Sequence, residues 1–449
     1  MYILKTKRVI AWSVGAAVLV TAGWAGYRIL QPRGEEPQPP VAGVPADFQG
    51  DQLARGEYIT RAADCVACHT TRGGTPFAGG RAFALPFGTV YATNLTPDPE
   101  TGLGKWSDDA FVDAVRQGKG SNGHLYPAMP YTSYAAMSRD DVLAIKAYLD
   151  SLEPVHQPTP SNTLSFPFNQ RWGVTFWDIA FFNGQRFKPT PDWSPAENRG
   201  AYLATALGHC GECHTPRNVG FAMKSQAYLS GAEIEGWKAY NTTGDAAYGI
   251  GGWSDEQLTG YLSRGHAPGR SSAAGPMAEV IEHSLQHLTP DDIQSLVRYM
   301  RRIAPDQGDV AQGVSVTLES PAIKASSAVL PGASSALDNQ RGQRLFDGDC
   351  AGCHQWNGVG RQTPYASLAG SRAVNDPSGH ALIQVVLNGT TLEVQGRKQL
   401  MPGFGSTYSD ADIAAVTNYV LAHFGDKQGQ VTADSVQHAR AAVSSVGTQ

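Results

Sequence analysis

Cys65-Val66-Ala67-Cys68-His69 is the stretch that decides the fold, because its C-x-x-C-H pattern returns twice further along the chain. The other two copies are Cys210-Gly211-Glu212-Cys213-His214 and Cys350-Ala351-Gly352-Cys353-His354. Two thiols one helical turn apart suit addition to the vinyl groups of a haem, and the adjacent histidine places an imidazole under the iron. The three boxes therefore predict three covalently bound haem c groups, attached through Cys65, Cys68, Cys210, Cys213, Cys350 and Cys353.

Two other uses of these cysteines fit the sequence less well. Disulfides or redox-active C-x-x-C sites would not require a histidine after every second cysteine. A zinc site would need a fourth soft ligand for each box, and all six cysteines of the chain are already used. The residue count therefore favours haem over both alternatives.

The composition of the 449-residue chain excludes several classes of protein. Hydrophobic residues make up 41% and charged residues 17%, which is typical of a folded protein and not of a disordered one. The length predicts about three domains. A net charge of −5 provides no basic surface for neutralising phosphates, so nucleic acid is not an expected partner.

An internal repeat defines the organisation of the chain. Each box is preceded by an Arg-Gly pair, and each unit closes with a helical pattern that runs from an aspartate to a tyrosine seven residues later. The prediction is a mainly α fold with three tandem cytochrome c-type haem domains at 48–157, 192–306 and 336–425. Residues 307–335, rich in Ser, Ala, Gly and Pro, are predicted to be a flexible linker, and 426–449 a polar tail.

The expected axial ligands of the three irons are the box histidines and one methionine in each unit. A soft thioether in the sixth position raises the reduction potential of a cytochrome c. The predicted ligand pairs are His69 with Met129, His214 with Met277, and His354 with Met401. Met137 competes with Met129 but lacks its neighbouring proline, whereas Met223 and Met300 are interpreted as packing residues.

The N-terminus carries a second prediction. Lys5, Lys7 and Arg8 precede an uncharged, mostly apolar stretch, which predicts a transmembrane anchor at 9–30 followed by a tether at 31–47. A cleaved signal peptide is the alternative, although the small-x-small cleavage site is poor. The basic cluster before the span places the chain at the bacterial inner membrane, with its haem domains on the periplasmic side.

Some aromatic and histidine residues have more than one interpretation. The connector at 158–191 is rich in Phe and Trp, and is expected to clasp two haem domains together, to dock a partner or membrane surface, or to line a quinone pocket. His209 either tunes a haem or is simply packed beside it. His283 and His287 lie one helical turn apart, but no further metal ligands accompany them in the sequence.

Longer motifs around the boxes carry a family resemblance. They are ADCVACHT at 63–70, YATNLTP at 91–97, LYPAMPY at 125–131, HCGECHTPRN at 209–218, AGPMAEVIEHS at 274–284, LMP at 400–402 and YVLAHFG at 419–425. These stretches resemble the tri-haem cytochrome c subunits of membrane-bound bacterial dehydrogenases, of the alcohol or aldehyde, gluconate and fructose type. The resemblance covers nearly everything after the expected anchor, although the anchor itself is N-terminal, unlike that of the fructose-type subunits.

The resemblance implies a function in electron transfer and not in catalysis on a substrate. Such subunits accept electrons from a catalytic flavoprotein, quinoprotein or molybdenum protein and pass them through three haems to ubiquinone in the inner membrane. A small third subunit is a further partner that it allows. Two alternatives remain open at this point, namely a stand-alone membrane-tethered shuttle to a terminal oxidase and a multihaem peroxidase that lacks one distal ligand.

Overall fold

A computed structural model describes residues 51–306 and 336–447 of the chain. The described residues are mainly helical, with five two-stranded antiparallel sheets placed between the helices. The expectation of a mainly α fold is therefore confirmed.

The first unit surrounds the box at Cys65. Its helices are α1 (Gln52–Ala62), α2 (Cys65–Cys68), α3 (Asp108–Gln117), α4 (Tyr131–Tyr134) and α5 (Arg139–Asp150). Its hairpins are β1–β2 (Ala82–Leu85 and Gly88–Tyr91) and β3–β4 (Lys119–Gly120 and Gly123–His124). Ser107 and Ser138 cap α3 and α5 by accepting backbone N–H bonds, which explains why these helices begin where they do.

The second unit repeats this order around the box at Cys210. Its helices are α7 (Pro195–Tyr202), which continues into a π turn at Leu203–Leu207, α8 (Gly211–His214), α9 (Asp255–Arg264), α10 (Pro276–His283) and α11 (Pro290–Met300). Its hairpins are β5–β6 (Ala232–Ile234 and Trp237–Ala239) and β7–β8 (His266–Ala267 and Ser271–Ser272), with short 3₁₀ turns at Ser225–Ala227 and Leu285–His287. Helix α6 (Trp172–Phe181) lies in the connector between the first two units.

The third unit surrounds the box at Cys350. It consists of α12 (Ala336–Leu345), a π turn at Phe346–Cys350, α13 (Ala351–His354), a 3₁₀ turn at Pro364–Ala366, α14 (His380–Asn388), β9–β10 (Thr390–Val394 and Arg397–Met401) and α15 (Asp410–Gly425). The tail that the sequence suggests is polar contains a further helix, α16 (Ala433–Gly447). Val436 of α16 is fully buried, and Arg440 forms an ion pair with Asp410 of α15 at 2.8 Å. The tail therefore packs on the third unit.

In every unit the opening helix crosses the closing helix at the glycine of the Arg-Gly pair. A Cβ atom at that glycine would lie about 2 Å from a backbone oxygen of the closing helix: 2.1 Å at Gly56, 1.9 Å at Gly200 and 2.3 Å at Gly342. The preceding arginine pairs with the aspartate that starts the closing pattern: Arg55–Asp141 at 2.5 Å, Arg199–Asp292 at 2.6 Å and Arg341–Asp412 at 2.6 Å. The repeated sequence signature thus encodes one close helix crossing and the ion pair beside it.

The first two units exchange tyrosine hydrogen bonds across their boundary. Tyr58 of the first unit donates its hydroxyl to Asp292 of the second at 2.5 Å, and Tyr202 of the second donates to Asp141 of the first at the same distance. Buried apolar residues from both units form one continuous core, whereas most of the third unit has its own core. The third unit has Arg344 at the position equivalent to these tyrosines and takes no part in the exchange.

The aromatic connector contacts both units that it joins. Arg186 donates to the carbonyl of Ala135 in the first unit at 2.7 Å, and Trp177 donates to that of Gly220 in the second at 2.6 Å. Several of its aromatic side chains stay exposed, namely Phe166, Phe168, Trp172, Phe176 and Phe181. The connector is therefore a clasp with an exposed apolar face, and docking at that face remains a prediction.

The structure does not support the expected location at the inner membrane through an N-terminal anchor, and this expectation must be corrected. Within residues 51–306 and 336–447, no helix is long and apolar enough to span a bilayer. The longest of them, α15, has 16 residues, whereas a bilayer core needs about 20. The anchor expected at 9–30, the tether at 31–47 and the linker at 307–335 lie outside the described residues.

Candidate haem-binding sites

The histidine of each box is held in the same way. Its Nδ1 atom lies 2.7 Å from a backbone carbonyl oxygen: His69 bonds Thr93, His214 bonds Tyr240 and His354 bonds Ala366. This bond fixes the neutral tautomer that carries its proton on Nδ1 and leaves Nε2 free to bind a metal. Burial lowers the pKa of all three imidazoles, which keeps them neutral at pH 7.

The first box opens onto a cavity of about 500 Å³. Cys65, Cys68 and His69 line one part of it, and Met129 lines another. The competing Met137 also reaches this wall and is fully buried. The structure thus brings both methionines to the cavity, and the assignment of Met129 as the sixth ligand remains a prediction.

The third box opens onto a second cavity, of about 300 Å³, with Cys350, Cys353, His354 and Met401 on its wall. Met401 ends β10 in register with Thr390 of β9. The hydroxyl of Thr390 is buried without a hydrogen-bond partner and belongs to a residue that lines the same cavity. An unpaired hydroxyl beside the expected ligand fits a site that holds a polar or charged group of a cofactor.

The second site differs from the other two. Its cysteines and His214 lie on or beside α8, whereas Met277 lies at the start of α10 and lines the cavity of the third unit together with His354. Gly275 sets the start of α10 with φ +54°, and a Cβ there would lie 2.4 Å from the ring of Trp237. The sulfur of Met223 lies 3.3 Å from where a Cβ on Gly211 would stand, so Met223 packs against the box as expected.

The six cysteines are all free in the structure. Burial raises the pKa of Cys65, Cys68 and Cys213 to about 12 and that of Cys210 and Cys350 to about 11. These environments disfavour a charged sulfur, so they suit an uncharged thioether better than a thiolate bound to zinc. Within the described residues, no group of three or more His, Cys, Asp or Glu is placed to hold a metal ion.

The first and second boxes lie next to each other. Ser133, four residues after Met129, donates to Glu212 inside the second box at 2.8 Å. Arg81 bridges the two sites, because it donates to the carbonyl of Ala67 in the first box at 2.7 Å and to Glu279 of α10 at 2.8 Å.

Two of the other singled-out histidines, His209 and His287, have structural partners. The ring of His209 stands edge-on to Tyr134 of the first unit at 5.4 Å, and burial lowers its pKa. His287 lies 3.1 Å from the carbonyl of Glu282. His209 is therefore packed between two units, next to the second box.

The sequence reasoning missed the carbonyl acceptors and Arg81. In the first two units a signal was present, because the acceptor precedes an Asn-x-Thr turn in both. The Asn94 side chain accepts from the backbone N–H of Thr96 at 2.9 Å, and that of Asn241 accepts from Thr243 at 2.8 Å. Nothing local marks Arg81, whose partners lie in two different units.

Comparisons with known proteins agree with this arrangement. A family model described as "Cytochrome c" matches residues 339–423, and one described as "Cytochrome C oxidase, cbb3-type, subunit III" matches residues 51–149. The chain is 39% identical to the fructose dehydrogenase cytochrome subunit of Gluconobacter japonicus, over 90% of this chain and 85% of that protein. It is 39% identical to the gluconate 2-dehydrogenase cytochrome c subunit of Pantoea cypripedii, over 89% and 92% of the two chains.

A third relative extends the comparison to alcohol oxidation. The chain is 35% identical to the cytochrome c subunit of alcohol dehydrogenase (quinone) from Gluconacetobacter polyoxogenes, over 89% of this chain and 87% of that protein. These relatives are electron-transfer subunits and not the catalytic ones. The chain belongs to the family of cytochrome c subunits of membrane-bound dehydrogenases.

Proposed function

We propose that this chain carries three covalently bound haem c groups and passes electrons, one at a time, from a catalytic dehydrogenase subunit to ubiquinone. One observation carries the proposal: three C-x-x-C-H boxes whose histidines all donate from Nδ1 to a backbone carbonyl at 2.7 Å. That bond leaves Nε2 free to bind a metal and recurs in all three units. It supports three equivalent sites, although the family models match only two of the units.

Each unit supplies the same set of groups to its site. The two cysteines would hold the haem through thioether bonds, and the histidine together with Met129, Met277 or Met401 would bind its iron. A haem bound there supplies reversible one-electron chemistry. The apolar cavity walls, such as Phe111 and Val115 in the first unit, would keep water away from the bound haem.

The contacts between units favour serial transfer with the second site in the middle. The first unit contacts the second box through Ser133 and Glu212, and the third cavity extends to Met277 of the second unit. The third unit is fastened to the second by Lys238–Asp376 at 2.7 Å and by the Tyr365 hydroxyl, which donates to Arg264 O at 2.6 Å. These contacts support a path in which the second site passes electrons between the two outer sites.

The names of the relatives define the class of partner that we expect. They belong to fructose, gluconate and alcohol dehydrogenases, so the proposed partner is a flavoprotein, quinoprotein or molybdenum protein that oxidises sugars, sugar acids, alcohols or aldehydes. A small third subunit would complete such an assembly. The proposed electron acceptor is ubiquinone.

Gentle affinity purification of the full chain from its native cells tests this function. We expect a larger subunit that contains flavin, pyrroloquinoline quinone or molybdopterin, and its cofactor indicates the substrate class. Addition of that substrate should reduce the haems, and a short-chain ubiquinone should reoxidise them. A chain that is repeatedly recovered alone would contradict the proposal and favour a shuttle to a terminal oxidase. Turnover of peroxide would favour a peroxidase.

A further inference from the structure

A loop of the third unit is inserted tightly against the second unit, close to Tyr240, whose carbonyl bonds His214. Gly370 has φ +70°, and a Cβ there would lie 2.3 Å from the carbonyl oxygen of Gly269. Two residues later, the backbone N–H of Arg372 donates to Arg270 O at 2.9 Å. These contacts place the Arg372 side chain inside the boundary between the two units.

The guanidinium group of Arg372 is buried and bonded entirely to neutral groups of the second unit. The residue is 8% exposed. Its Nη1 donates to Asn241 O at 3.1 Å, its Nη2 donates to Tyr248 O, and its central carbon lies 4.8 Å from the centre of the Tyr240 ring. Among the described residues, no carboxylate oxygen lies within 4.0 Å of its nitrogens, unlike the buried Arg199, which pairs with Asp292.

This cation acts on the backbone that orients the second site. The carbonyl of Tyr240 accepts the Nδ1 hydrogen bond of His214, and Arg372 covers the ring of the same tyrosine and bonds the next carbonyl. The first unit has the matching turn at Thr93 and Asn94. In the described part of the first unit no arginine bond to the Asn94 carbonyl is formed. Of the first two sites, only the second therefore has a buried arginine at this position among the described residues. The carboxylates of Asp376, which pairs with Lys238 at 2.7 Å, and of Asp245 also act on Arg372.

We propose that Arg372 of the third unit raises the reduction potential of the second haem by holding a buried cation beside the Tyr240–Asn241 segment that orients His214. The half-reaction is the uptake of one electron by ferric iron to give ferrous iron, with the electron supplied by the proposed dehydrogenase partner. A nearby positive charge favours the ferrous state because that state carries one positive charge less. Arg372 is thus a positioning residue that makes the potential of one unit depend on docking of the next.

The expected size of the effect follows from Coulomb's law. A unit charge that acts over roughly 10 Å through an effective dielectric constant of about 20 changes a one-electron equilibrium on the order of tenfold. A tenfold change corresponds to about 59 mV for one electron. Removal of the charge should therefore lower one of the three midpoint potentials by about this amount.

The test is a spectroelectrochemical titration of the purified full chain with Arg372→Gln and Arg372→Lys variants. In Arg372→Gln, we expect one midpoint potential to fall by about 59 mV, which is a tenfold change in its reduction equilibrium. The other two midpoint potentials should not change. In Arg372→Lys, which keeps the charge, most of that potential should be retained. His380→Ala is the matched control, because His380 bonds Gly236 O at 2.8 Å across the same boundary without covering Tyr240.

Three results would overturn the proposal. The first is unchanged midpoint potentials in Arg372→Gln, and the second is an equal fall in midpoint potential in the glutamine and lysine variants. The third is a fall in His380→Ala as large as that in Arg372→Gln, which would attribute the effect to docking alone. Haem content per chain is measured for each variant, because this inference rests on the proposed haem at His214. Fewer than three haems in the unmodified chain would refute the proposed function, whereas three haems with unmoved potentials would refute only the role of Arg372.

Discussion

Replacing Asp292 with asparagine removes the negative partner of a buried arginine at the boundary of the first two units. Arg199 and Asp292 have side chains that are only 9% and 5% exposed, and they share two hydrogen bonds, at 2.8 and 2.6 Å. Loss of one partner from a buried ion pair destabilises a protein by about 3–5 kcal/mol. The charge of Asp141 also acts on Arg199, so we expect the lower end of this range, about 3 kcal/mol.

The third unit provides a matched control for this substitution. Arg341 and Asp412 occupy the same positions in the repeat, but their side chains are 43% and 21% exposed. Exposed pairs are worth about 0–1 kcal/mol because water and salt screen them. Asp412→Asn should therefore change local stability by at most about 1 kcal/mol.

Hydrogen exchange read by mass spectrometry suits this comparison because it reports local opening in a chain with several units. A loss of about 3 kcal/mol corresponds to a fall in protection on the order of a hundredfold. We expect this fall in peptides from α7 and α11 of Asp292→Asn, and less than about a tenfold fall in α12 and α15 of Asp412→Asn. Equal effects of the two substitutions would refute the argument that burial decides the strength of this repeated pair.

Three further predictions concern the helix crossing, a sixth ligand and acid sensitivity. Gly200→Ala places a Cβ 1.9 Å from a backbone oxygen and should cost about 3 kcal/mol, whereas Gly173→Ala meets open space and should be neutral; similar melting temperatures for both would contradict the close crossing. Met401→Ala should lower the intensity of the far-red sulfur-to-iron absorption band by the contribution of one haem. An unchanged intensity would exclude Met401 as a ligand. Hydrogen bonds from Arg302 and the Ser194 cap lower the pKa of Glu197 from 4.5 to about 2. The stabilisation by ionised Glu197 is therefore present above pH 4.5 and is lost as the pH falls toward 2. The difference in melting temperature between the unmodified chain and Glu197→Gln should shrink between pH 5 and pH 2. A constant difference would contradict this assignment.

Local patterns in the sequence predicted the parts of the structure that depend on neighbouring residues. The mainly helical fold and the family follow from the C-x-x-C-H boxes, and the opening and closing helices follow from the Arg-Gly and Asp-to-Tyr patterns. The choice between Met129 and Met137 could not be made from spacing, because both reach the same cavity wall. Met277 as the ligand of the second site also stays a prediction; it lines the cavity of the third unit, a contact that spacing does not indicate.

Contacts between units had no local signal. Tyr58 and Asp292 are 234 residues apart in the chain, and Arg372 is 131 residues from Asn241. Such pairs form only when the folded units dock, so no local pattern in the sequence marks them. The helical tail is a similar case, since Val436 becomes a core residue only when α16 lies against α15.

The haem content of the mature chain tests the central claim most directly. The measurement is the intact mass under denaturing conditions together with a pyridine haemochrome assay, because only covalently attached haem survives denaturation. We predict a mass increase of three haems and three haems per chain by absorbance, and a Cys213→Ala variant should alter attachment at the second box alone. A chain that carries two haems or fewer, with free thiols at any box, would contradict the account.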